Sequence, residues 1–183
     1  MKKIIKKSIV TATIATTILG VSLIPEINII TPNVVSAQEN DILDIDAISQ
    51  DLSNLYPQFN QEEIYQAVSQ AARGEEMDLP TDGNEIQARA WQGVTTGQLA
   101  FAIDTAIAIA TGGVISSVAT KLSSSALRAV RYSIQAQLAR FGAGTLGGIF
   151  IDAALYMASP GQYVADNIDA IDTVPNNGRI NLW

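Results

Sequence analysis

Apolar residues recur at helical spacing along the front half of the chain. Ile45, Ile48, Leu52 and Leu55 follow one another at intervals of three, four and three, a stripe along one side of a helix that Pro57 ends. A second amphipathic helix is predicted from Asn60. Asn60 can cap it, Glu63 can reach back to close a capping box, and Phe59 can staple onto Ile64. Ile64, Val68 and Ala71 line its inner face, and Gly74 is a natural stop. Glu75–Asn84 reads as a linker, with Pro80 and an Asp82-Gly83 turn, and a short helix through Trp91 follows.

The pattern then loses its polar face. Ala90 to Thr120 carries one charge, Asp104, in 31 residues, with Gly112-Gly113 as a candidate helix break. Lys121–Arg140 is amphipathic again: Leu127, Val130, Ile134, Leu138 and then Phe141 form its stripe, and Ser123-Ser124-Ser125 is a break or a cap before it. A second apolar run, Phe141–Ala158, again has one charge, Asp152. Ser159-Pro160 restarts the chain as N-cap and first residue of a helix to about Asp172, and an irregular tail closes the chain. Strand-like alternation is too short to compete anywhere, so the expected fold is all-α: a compact helical bundle with two strongly apolar central helices.

At the N-terminus, Lys2, Lys3, Lys6 and Lys7 precede a charge-free stretch from Ser8 to Pro25, and Val35-Ser36-Ala37 offers the small residues of a cleavage site. The expected organisation is a signal peptide at 1–37, an acidic helical region at 38–85, an apolar and cationic helical core of the same domain at 86–172, and a tail at 173–183. The expected location is secreted and extracellular. An uncleaved anchor is the competing reading.

Composition narrows the chemistry. The 183 residues include no His and no Cys, which removes Ser-His-Asp triads, cysteine nucleophiles, Cys/His zinc sites and disulfides. The formal charge is −7, and loss of residues 1–37 leaves 7 basic and 17 acidic residues, a net of −10. That balance argues against nucleic-acid binding. The charge is uneven: Gln38–Glu85 holds 12 acids against Arg73, whereas Ile86–Pro160 holds Asp104 and Asp152 against five cations.

Catalytic and metal readings are thin, and neither an enzyme nor a cofactor is expected. Asp104 and Asp152 have nothing that fixes a glycosidase-like separation. Asp41, Asp44 and Asp46 lack the glycine and terminal glutamate of a calcium loop. Asp166, Asp169 and Asp172 read as a solvated helix face.

An all-round apolar helix is buried in protein or in lipid. Across Leu99–Val118, eight strongly apolar residues contribute roughly −2.4 to −4.8 kcal/mol to insertion, and a central Asp104 opposes them by about 2.5 to 3.5. The sum lies near zero, as a water-soluble protein that later enters membranes requires. Gly93-x-x-x-Gly97 and Gly144-x-x-x-Gly148 fit close helix packing in either setting.

A lysine-rich signal, an acidic helical front, and Ala/Gly/Ile-rich central helices with a cationic helix between them resemble the larger secreted bacteriocins of Gram-positive bacteria. The layout is similar in logic to pore-forming colicin domains, which hide a hydrophobic hairpin inside a soluble bundle, although Asp104 and Asp152 interrupt both runs here. The resemblance implies a secreted antibacterial protein that perturbs or permeabilises target-cell membranes. On this reading the membrane contacts are Lys121, Arg128, Arg131, Arg140, Phe101, Ile107, Ile109 and Phe150. Asp104 and Asp152 are the candidate pH switches, with dye release from anionic vesicles expected to rise as pH falls. The expected partner is an anionic target membrane; a receptor, an immunity protein and self-association stay open. The alternative is a soluble secreted helical module that binds or oligomerises without touching lipid.

Overall fold

Helix starts and stops in this chain follow from a few capping side chains, seen in a computed structural model that describes residues 43–81 and 93–182. The signal segment 1–37, the Asp82-Gly83 turn, the helix through Trp91, and Trp183 lie outside the described residues. So does the first of the chain's two units, Met1–Thr31; everything below belongs to the second, Pro32–Trp183.

The described helices are α1 (Ile45–Leu55), α2 (Gln61–Ala72), α3 (Thr96–Thr111), α4 (Val118–Lys121), α5 (Ser124–Arg140), α6 (Gly144–Gly147), α7 (Ile151–Ala154) and α8 (Pro160–Asp169). The described residues form helices and no strands, compatible with an all-α fold. Asp44 caps α1 through the Ala47 N–H, and Asn60 caps α2 through the Glu62 N–H at 2.8 Å. Glu63 does not reach back to Asn60. Its carboxylate instead accepts from the Thr81 N–H at 2.7 Å, tying the following segment onto α2. The full capping box stands at α3, where Thr95 and Gln98 satisfy each other's backbone N–H groups. The box was expected at Asn60, and the same spacing at Thr95-x-x-Gln98 was passed over.

α3 is the centre. It packs most extensively on α8 and α5, and also on α1 and α2. Residues 98–108 are buried without interruption. A helix apolar on every side can exist in water only when covered on every side, and four neighbours do that here. Gly112, left-handed at φ +70°, ends it, and the Gly113 N–H returns to the Ala108 carbonyl at 2.7 Å.

The second apolar run departs from expectation. Phe141–Ala158 is not one helix but the short pieces α6 and α7, separated by a turn through 148–150. α6 lies close against α5 here: a Cβ at Gly147 would lie 2.2 Å from a Leu138 methyl. Among the described residues there is therefore one strongly apolar helix, not two. Of the glycine pairs, Gly144 and Gly148 would make only ordinary contacts as alanines.

Two further expectations change. Tyr56, buried, continues the Ile48–Leu52 face of α1 at the next interval of four, and Leu55 is 45% exposed. The tail is irregular but anchored. Ile180 is buried and donates its N–H to the Val94 carbonyl, next to an antiparallel Thr95–Arg179 bridge. Asp169 is buried rather than part of a solvated face. α8 ends there, three residues before the expected Asp172, and the Asp169 carboxylate accepts from the Asn177 and Gly178 N–H groups.

Candidate functional site

Asp104 lies in the middle of α3, and its carboxylate is 1% exposed. Both oxygens are taken. The Tyr56 hydroxyl, from the C-terminal end of α1, donates to Oδ2 at 2.6 Å, and the Gly161 N–H donates to Oδ1 at 2.7 Å. Sequence reasoning found Asp104 and missed both partners.

Gly161 is the second residue of α8, where a backbone N–H has no partner inside the helix. Pro160 before it carries no N–H, and among the described residues the Ser159 side chain makes no capping bond. Asp104 therefore caps α8 from another helix, with its negative charge at the positive end of that helix dipole. The approach demands glycine. A Cβ at 161 would lie 2.2 Å from the Ala100 carbonyl oxygen and 2.8 Å from the Asp104 carboxyl. One side chain thus joins α1, α3 and α8.

Burial pushes the Asp104 carboxyl up to about 6, against the lowering pull of the Tyr56 hydroxyl and the Gly161 N–H. Burial, reinforced by the neighbouring carboxylate, raises the Tyr56 phenol far above its ordinary range, so it remains a donor.

An aromatic cluster adjoins this latch. Phe101 meets Tyr56 and Phe59 edge-on, with ring centroids 5.6 and 5.8 Å apart. Phe101 and Ile107 are fully buried, so in this folded state neither reaches a membrane surface; α3 would have to leave its sheath first. Ile109 and Phe150 are half-buried. Asp152 is a different case from Asp104. Its side chain is 70% exposed and paired with Arg131 at 2.9 Å, an interaction that water and salt weaken. Lys121, Arg128, Arg131 and Arg140 all face outward.

No family model, curated protein or solved structure matches this chain.

What the residues bring together is therefore the ground for any functional reading. The structure joins Asp104 to Tyr56 and Gly161 at the centre and pairs Arg131 with Asp152 at the surface. Among the described residues there is no group of three acidic, His or Cys side chains placed to hold a metal ion. No helix there is long and apolar enough to cross a membrane.

Proposed function

We propose that this chain is an exported antibacterial protein, bacteriocin-like and non-catalytic, that perturbs the membrane of a target cell. The observation that carries the reading is α3: residues 98–108 are apolar on nearly every side, and amphipathic neighbours keep them from water. A helix so composed is as compatible with lipid as with a protein core, so a sheath that opens at a membrane converts one state into the other. The outward cations Lys121, Arg128, Arg131 and Arg140 suit an anionic surface.

The 16 residues of α3 span about 24 Å, less than the roughly 30 Å hydrocarbon core. The action proposed is accordingly disruption from one face of the bilayer rather than a helical hairpin threaded through it. The alternative is a secreted helical binding module, favoured by the fact that a single chain already covers α3.

Vesicle flotation with dye release separates the two. The membrane reading expects co-flotation with vesicles containing phosphatidylglycerol, dye release from them, and loss of membrane potential in sensitive Gram-positive cells. A protein that stays at the bottom of the gradient and leaves potential and dye intact is a binding module.

A further inference from the structure

The second apolar run exposes what α3 hides. Ile149, Asp152, Ala153 and Tyr156 stand at i, i+3, i+4 and i+7, and all four are exposed. The backbone stays right-handed helical through Gly148 (φ −55°, ψ −29°), Phe150 and Leu155, so this spacing puts them on one side of the segment. Ile149 is 73% exposed, Tyr156 66% and Met157 38%. The opposite side, Ile151, Ala154 and Leu155, is buried in the core. Large apolar side chains this open, in a row and next to a well-filled core, mark a contact surface.

The surroundings of the row are cationic. Its one charge, Asp152, is held by Arg131 at 2.9 Å, which places the exposed face of α5 beside the row, with Arg128 one turn earlier on that face. On the other flank, the Ser117 N–H donates to the Met157 carbonyl at 2.8 Å and the Ala119 N–H to the Leu155 carbonyl at 2.9 Å. These two bonds bring the start of α4 alongside residues 155–157, and Lys121, two residues further on, is exposed and donates from Nζ to Ser116 Oγ at 3.3 Å. An apolar row with a tyrosine among cations is the chemistry of a headgroup boundary: aliphatic groups enter the acyl layer, tyrosine sits at its edge, and cations meet lipid phosphates.

We propose that the row from Ile149 to Met157, flanked by Lys121, Arg128 and Arg131, is the face on which the protein seats on an anionic lipid surface. This rests on the membrane reading above and adds to it a specific orientation. The acidic helices α1 and α2 pack on each other and on α3, whereas α7 packs on α8 and α5. A second copy is the other occupant this surface could take, because an acidic α1–α2 face on a neighbour would also satisfy its cations.

The chain has no cysteine, so a single introduced thiol is a unique reporter. Ile149→Cys and Tyr156→Cys, each carrying an environment-sensitive fluorophore, are compared with Leu55→Cys and Tyr65→Cys, whose sites are 45% and 42% exposed on α1 and α2. The protein is expressed as the full chain and mixed with vesicles of phosphatidylcholine, with or without phosphatidylglycerol. The expected result is a blue shift and brightening at 149 and 156 on the anionic vesicles, none at 55 or 65, and reversal by salt. The double variant I149D/Y156D, with both changes at exposed positions, should keep its circular dichroism and lose vesicle partitioning about tenfold or more.

Flotation of the wild type combined with a signal at 55 or 65 and none at 149 or 156 overturns the orientation and leaves the membrane reading standing. Failure of the wild type to float removes both. A signal at 149 that grows with protein concentration in the absence of vesicles assigns the row to a second copy and overturns the proposal.

Discussion

Asp104 is a charged group placed where charge is expensive, and its two hydrogen bonds only partly offset the loss of water. Because its folded-state pKa stands near 6, above the unfolded value, the fold binds this proton more tightly than the open chain does. The stabilisation is complete below the unfolded pKa near 4 and is lost as pH rises through about 6. Between about pH 5 and pH 8 the loss is about 1–2 kcal/mol, equivalent to a fall of about 3–6 °C in thermal midpoint. Asp104→Asn keeps an oxygen for the Gly161 N–H and carries no charge, so its midpoint should change little across that range. Calorimetry of the two proteins at matched pH makes the comparison. A wild-type midpoint that follows pH no differently from that of D104N would remove Asp104 as the group responsible.

At the level of helices, contact depends on where the chain omits a side chain. Gly161→Ala forces a methyl to within 2.2 Å of the Ala100 carbonyl and strains the Asp104–Gly161 bond. It should cost about 3 kcal/mol in denaturant unfolding. Gly148→Ala meets its nearest atom at 3.5 Å with a helical backbone, so it should be neutral or slightly stabilising. Equal costs for the two would show that α8 does not depend on this close approach. The same distinction explains what the sequence could reveal. The α2 cap, the α5 stripe Val130–Ile134–Leu138, the stop at Gly112 and the Ser123 cap were all visible, because each depends on residues within a turn or two of one another. Asp104 stood out as a lone charge in an apolar run. Its partners did not, since Tyr56 is 48 residues and Gly161 57 residues away along the chain. The division of Phe141–Ala158 into two short helices was not anticipated, although its glycines at 142, 144, 147 and 148 are poor helix formers.

For the molecule as a whole, the proposed membrane action would make one carboxyl answer to pH twice, in folding and in entry. Acid favours whichever state holds the Asp104 proton more tightly. The bundle holds it more tightly than the unfolded chain, so acid does not loosen the sheath in water by way of this residue; it tightens it. A lipid-seated α3 surrounds Asp104 with hydrocarbon and lacks the hydrogen bonds from Tyr56 and Gly161, so it holds the proton more tightly still. On the proposed membrane reading, acidification should therefore promote entry by favouring the destination, while the starting state also becomes firmer. Two measurements on one preparation test this. From about pH 7.5 to about pH 5, dye release from phosphatidylglycerol vesicles should rise while the thermal midpoint without lipid also rises. D104N should flatten both curves and release dye at neutral pH at close to the wild-type acid rate. Release that rises only where the lipid-free midpoint falls would mean that acid unfolding exposes α3, and the linkage through Asp104 would be wrong.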